Sequence, residues 1–217
     1  MESQQAVYEK IKQFRVVPVV AIDSVESALP LADALISGGL PIAEITFRTS
    51  VAGDVIELLA KKRPELLLGA GTVLSANDIG RAGACGAQFA VAPGFNPNVA
   101  GAALKLGLPF MPGVMTPSDI EAALGLGLTK LKFFPAEAAG GVVLLKGLYA
   151  PYRHLGVRFV PTGGINAENM LKYLSLEAVL AVGGTWIADR SDIAAGNWGK
   201  ITDNCRQVRN LLSSGPK

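Results

Sequence analysis

The sequence predicts one α/β domain over residues 1–217, a (β/α)8 barrel with an extra N-terminal helix. Three observations carry this prediction. Apolar, β-branched runs recur at a fairly even spacing, beginning near Val16, Ile42, Leu66, Gln88, Pro109, Lys130, Arg158 and Ala178. Ala- and Leu-rich stretches with helical spacing lie between them, and continuous apolar strands alternating with helices belong to a parallel sheet covered on both faces. No strand-like run is followed by G-x-G-x-x-G and a helix, as the competing open, doubly wound sheet would require. Eight units are the TIM barrel count, and 217 residues lie near the low end of that fold's range.

Each element follows from local chemistry. Residues 3–14 form the extra N-terminal helix. Over residues 24–37, Leu29, Ala32, Leu35 and Ile36 make one apolar stripe. Asn96-Pro97 and Thr116-Pro117 each place a capping side chain before a proline at the first helical position, opening helices that run to Leu106 and Leu124. Ser37-Gly38-Gly39 and Ala82-Gly83-Ala84 end helices, and residues 192–212 form a closing one. Half of the residues are hydrophobic but only 6% are aromatic, with 25 glycines, so the core is built from small side chains.

Composition also excludes functions. Twenty basic residues against 18 acidic ones, with no basic block, give a net charge of +2 and no footprint for nucleic acid or an anionic membrane. The longest apolar stretches, 16–22 and 178–182, are too short to span a bilayer. Residues 1–5 carry no signal-peptide pattern, so the cytoplasm is the expected location. Cys85 and Cys205 stand far apart in no ligand spacing and read as reduced thiols. His154, the single histidine, lies in a loop-like segment and is expected at the surface. A zinc-dependent lyase normally needs several imidazoles, and a Ser-His-Asp triad needs one well placed. The chemistry must therefore use lysine and carboxylate, without metal.

In a barrel the active site lies at the C-terminal ends of the strands. In Lys130-Leu131-Lys132-Phe133-Phe134-Pro135-Ala136-Glu137, alternation puts Lys130, Lys132 and Phe134 on one face. A lysine inside a sheet is rare unless paired or functional, and a neutral amine there forms Schiff bases with ketones. Lys130 lies earlier on the strand, nearer the bottom, and is expected to snorkel or pair there. The second strand puts Glu44, Thr46 and Arg48 on one face, where charges are costly unless they compensate each other or serve a substrate. The third strand ends Gly69-Ala70-Gly71-Thr72, the fourth Ala92-Pro93-Gly94-Phe95. Thr162-Gly163-Gly164 and Gly183-Gly184-Thr185 end strands seven and eight, where barrels hold phosphate on backbone N–H groups.

On these residues the chain resembles the 2-keto-3-deoxy-6-phosphogluconate (KDPG) aldolases, also called 4-hydroxy-2-oxoglutarate (KHG) aldolases, over nearly its whole length. The specific pieces are Glu44-Ile45-Thr46-Phe47-Arg48-Thr49, Gly69-Ala70-Gly71-Thr72-Val73, Lys130 through Glu137, and Phe159-Val160-Pro161-Thr162-Gly163-Gly164-Ile165. The resemblance implies a class I, metal- and cofactor-independent aldolase on a (β/α)8 barrel, usually a homotrimer. It puts the Schiff-base lysine on Lys132 and the general acid/base on Glu44. Substrate-carboxylate contacts fall on Arg48 and Thr72, with Pro93, Phe134 and Thr162 lining the pocket. Phosphate contacts fall on Gly163, Gly164, Gly184 and Thr185; many relatives carry serine at this last position, which keeps the hydroxyl. Three alternatives stand beside this reading: an aldolase for the galactonate epimer at C4, a phosphosugar isomerase in which Glu44 shuttles a proton, and a non-catalytic phosphosugar-binding barrel.

Overall fold

The computed structural model describes residues 4–214. The chain runs α1 (Gln4–Phe14), β1 (Val16–Val20), α2 (Ala28–Ser37), β2 (Ile42–Thr46), α3 (Ala52–Lys62), β3 (Leu67–Gly71), α4 (Ala76–Ala84), β4 (Phe89–Val91), α5 (Pro97–Leu106), β5 (Phe110–Met111), β6 (Gly113–Val114) and α6 (Pro117–Leu124). It continues through β7 (Lys130–Phe133), α7 (Ala136–Ala139), α8 (Gly141–Tyr149), a 3-10 helix (Ala150–Leu155), β8 (Arg158–Pro161), α9 (Met170–Leu174), β9 (Val182–Gly184), α10 (Arg190–Ala194) and α11 (Trp198–Ser214).

Every strand pairing is parallel. Six strands pair in the order β5-β4-β3-β2-β1-β9, and three in the order β6-β7-β8. Only Pro112 separates β5 from β6. It has no N–H to give to the ladder, so the fifth run breaks there, while its carbonyl accepts from Lys132 N at 2.8 Å. Isolated bridges join Phe159 to Val179 and Thr162 to Gly183. The sheet curls, and β2 and β7 meet across its interior through Glu44 and Lys132.

Helices cover the outer face of the curl. Leu31, Leu35, Ile56 and Leu59 of α2 and α3 pack with Ile42 and Ile45 of β2, all fully buried. Burying side chains of this size stabilises the fold by roughly 1.5–3 kcal/mol each before chain entropy is counted. Asn96 and Thr116 cap α5 and α6 as the sequence predicts, each followed by proline.

The structure departs from the sequence reading in three places. The helix expected from residue 24 begins at Ala28, because Ser24 accepts from Ser27 N in a turn instead. The run expected from Ala178 pairs mainly over Val182–Gly184, with Val179 making a single bridge. The closing helix is two helices, broken where Gly196 takes φ +69°. Residue 3, from which the sequence predicts the N-terminal helix, lies outside the described residues.

Candidate active site

Glu44 stands in the middle of β2, in register with Val19 on β1 and Gly69 on β3. Lys132 occupies the matching level of β7, opposite Gly113 and Val160. Both side chains point into the curl, where Glu44 is 3% exposed and Lys132 5%. Lys132 Nζ lies 3.4 Å from Glu44 Oε1, longer than the 2.7–2.9 Å typical of a charge-assisted bond. The amine also sits 5.4 Å from the centre of the Phe134 ring. Gly71 makes room for the carboxylate: a Cβ there would fall 2.2 Å from Glu44 Oε1.

The other expected residues gather round this pair. A cavity of about 150 Å³ is walled by Glu44, Arg48, Thr72, Pro93, Lys132, Phe134, Thr162, Gly163, Gly164, Gly184 and Thr185, together with Val19 and Ile165. Val19 and Ile165 are apolar wall residues whose chemistry gives no signal in the sequence, although alternation along β1 puts Val19 inside. Arg48 is held from below. Its Nε donates to Thr46 Oγ1 at 3.1 Å, and Thr46 Oγ1 in turn donates to Val20 O at 2.8 Å. An adjoining hollow of about 180 Å³ shares Val19, Arg48 and Thr185 with the cavity. A larger one, about 400 Å³, lies between α1, α4 and α5, and its nine wall residues include no ionisable side chain.

Thr72 takes φ +56°, rare for a β-branched residue and costing of the order of 1–3 kcal/mol. Backbone bonds on either side hold it, Phe47 N to Gly71 O at 2.8 Å and Val73 N to Val91 O at 3.1 Å. Strained backbone of this kind gathers where a side chain must be aimed.

The β8 turn is built differently. Ala136 N donates to Thr162 O at 2.8 Å, Glu137 N to Gly163 O at 3.0 Å, and Asn169 Nδ2 to Gly164 O at 3.0 Å. Three successive carbonyls are thus tied into protein. The Thr162–Gly183 bridge turns the Gly163 N–H towards Gly183 O. Among the described residues, the N–H groups of Gly164, Ile165 and Thr185 donate to no protein acceptor, and all three residues line the cavity. Unpaired N–H groups on residues round one hollow are what an anion needs. Gly163 and Gly164 reach this shape at φ +101° and +78°.

Residues set aside by the sequence reading lie elsewhere. Lys130 Nζ donates to Thr129 Oγ1 at 3.0 Å and Gly156 O at 3.4 Å, away from the cavity. Burial, and to a smaller extent Arg158, hold its ammonium below the ordinary lysine range, with Glu9 opposing. His154 is exposed on the 3-10 helix. Among the described residues, no group of three or more His, Cys, Asp or Glu side chains could hold a metal ion. Among the same residues, no helix is long and apolar enough to cross a membrane.

A buried amine and a carboxylate facing one small cavity, beside a glycine turn with unpaired N–H groups, are equipment that covalent carbonyl chemistry can use on an α/β scaffold. A sequence model for the KDPG and KHG aldolases matches residues 7–204, and the chain belongs to that family. It is 43% identical over 208 residues to the 2-dehydro-3-deoxy-phosphogluconate aldolase of Haemophilus influenzae, covering 96% of this chain and 97% of that one. It is 41% identical over 193 residues to the KHG/KDPG aldolase of Escherichia coli, covering 89% and 90%. Among solved structures, the KDPG aldolase of Legionella pneumophila, with pyruvate captured at low pH as a covalent carbinolamine, superposes with a TM-score of 0.89 at 41% identity. That match covers 95% of this chain and 98% of that one.

Proposed function

We propose that the protein is a class I, metal-independent aldolase that cleaves KDPG to pyruvate and glyceraldehyde 3-phosphate and also acts on 4-hydroxy-2-oxoglutarate. The observation that carries this is the 3.4 Å approach of Lys132 Nζ to Glu44 Oε1 in a cavity that also opens on Arg48 and the Thr162–Gly164 turn. Family membership and the relative that captures pyruvate covalently support it.

The amine of Lys132 adds to the C2 ketone of the substrate, and loss of water leaves an iminium. Glu44, directly or through a water, takes the proton from the C4 hydroxyl. The C3–C4 bonding pair then moves into the iminium, glyceraldehyde 3-phosphate departs, and an enamine of pyruvate remains on Lys132. Glu44 returns the proton to C3, and addition of water to the restored iminium frees pyruvate and the amine. Arg48 holds the substrate carboxylate with its planar fork, aided by Thr72. Pro93, Phe134 and Thr162 bound the reacting carbons. Gly163, Gly164, Gly184 and Thr185 receive the phosphate.

We read the curled sheet as a complete (β/α)8 TIM barrel in one domain. Counting β5 and β6 as one strand interrupted at Pro112 gives eight, with the Thr162–Gly183 bridge on the closing seam. On the family resemblance we assign a cytoplasmic homotrimer, so light scattering should return three times the 22.6 kDa of one chain.

The test of the activity is borohydride reduction in the presence of pyruvate, followed by peptide mapping, beside a coupled assay of both C4 epimers and 4-hydroxy-2-oxoglutarate. An adduct on Lys132 with cleavage of KDPG is the expected result. An adduct on Lys130, or none, removes the Schiff-base assignment, and faster turnover of the galactonate epimer reassigns the substrate.

A further inference from the structure

Glu137 and Tyr173 lie outside the catalytic cavity, yet both converge on the turn assigned to phosphate. Tyr173, on α9, is 1% exposed, and its hydroxyl donates to Glu137 Oε1. Glu137, on α7, is exposed at the rim and grips the turn twice. Its N–H donates to Gly163 O at 3.0 Å, and its side chain packs so closely on Gly164 that a Cβ at that glycine would lie 2.7 Å from Glu137 Cβ and Cγ. A Cβ at Gly141, the first residue of α8, would sit 3.3 Å from both Glu137 Oε1 and the Tyr173 hydroxyl, so that glycine leaves room for the pair.

The consequence is directional. The Gly163 carbonyl and the Gly164 N–H belong to one trans peptide and point opposite ways, so holding that carbonyl on Glu137 N turns the Gly164 N–H away from α7. Both glycines take positive φ, a backbone region that side chains rarely adopt. Short helices such as the four-residue α7 have little intrinsic stability, so the Glu137 side chain needs an outside anchor to stay in place. Tyr173 is that anchor, because its ring is fixed in the core and its hydroxyl has one acceptor. Burial, with the Glu137 carboxylate adding to it, holds the phenol above its ordinary range, so it remains a donor at neutral pH.

We propose that Tyr173 and Glu137 form a latch that aims the Gly164 N–H group into the cavity, making them positioning residues for the phosphate end of the substrate. The inference rests on the aldolase reading for its substrate, but the latch is testable without turnover. Tyr173→Phe removes one hydroxyl and keeps the ring. Glu137→Ala removes the acceptor at an exposed site where folding is at little risk. Glu137→Gln keeps an oxygen for the tyrosine.

Each variant is titrated with inorganic phosphate while the Gly164 amide resonance is followed. KM is then measured for KDPG and for 4-hydroxy-2-oxoglutarate. Tyr173→Phe and Glu137→Ala should each weaken phosphate binding and raise KM for KDPG by roughly tenfold, the scale of one hydrogen bond to a charged group. The unphosphorylated substrate and trapping of pyruvate should be unaffected, and Glu137→Gln should stay within about twofold of wild type, its neutral bond being the weaker kind. Equal losses on both substrates, or phosphate binding at wild-type strength in both Tyr173→Phe and Glu137→Ala, would overturn the latch. A wild-type protein that binds phosphate but forms no adduct with pyruvate would instead sink the aldolase reading and leave the latch standing.

Discussion

Glu44 sits in the interior with Lys132 as its ion-pair partner, so substitution there separates charge from bulk. Glu44→Gln preserves shape and removes the proton acceptor. Turnover should fall by about 10²–10⁴-fold, the usual contribution of a positioned acid/base, while the pyruvate adduct on Lys132 still forms. Rate measurements alongside borohydride trapping check this, and wild-type turnover would make Glu44 a mere counter-ion. Lys130, two residues before Lys132, is a useful contrast. Burial lowers its pKa, so the unfolded chain binds more protons than the fold between that lowered value and the ordinary 10.5. Stability linked to this lysine therefore rises with pH across that window. In Lys130→Met the contribution is gone, and the difference in unfolding free energy should shift in favour of the wild type as pH climbs towards 10.5. Denaturant melts at two pH values read it, and a pH-independent difference would show that Lys130 is not desolvated.

At the scale of elements, β3 shows how tightly the neighbouring strand sets the position of Glu44. Gly71 pairs with Thr46 on β2, and a Cβ there would lie 2.2 Å from Glu44 Oε1 and 2.6 Å from its Cγ. Gly71→Ala should fold, since its φ is not in the left-handed region, but Glu44 must move. A displacement near 1 Å costs about 10²-fold in rate, so turnover should drop by roughly that factor while thermal stability changes little. A variant with unchanged turnover would mean that Glu44 has freedom its packing denies. The strand positions were legible because period and β-branching report burial on both faces. Pro112 was legible as a residue but not as a break, because its effect depends on which neighbour would have received its missing N–H. The cavity walls hold all eleven residues expected of them, since strand ends and Gly pairs mark the mouth locally. The Tyr173–Glu137 bond joins residues 36 apart that carry no motif of their own, and the left-handed Thr72 looks in sequence like any strand-end threonine.

At the scale of the whole molecule, the inventory of side chains constrains the mechanism more than any single distance does. Breaking a carbon–carbon bond next to a ketone needs an electron sink, which is either a bound metal ion or an iminium. A zinc sink needs three protein ligands round an open position. The chain has one histidine, exposed on the 3-10 helix, and two cysteines. Among the described residues, no three His, Cys, Asp or Glu side chains come together. The cavity holds a single carboxylate, Glu44, and one amine at the same level. An iminium on Lys132 uses what is there. Activity should therefore survive exhaustive treatment with a strong chelator such as EDTA, and adding zinc or magnesium afterwards should not raise it. Lys132→Arg, which keeps the positive charge but cannot form an imine, should abolish cleavage under all of these conditions. Loss of activity on chelation that zinc restores, or cleavage by the arginine variant, would mean that the electron sink lies outside Lys132.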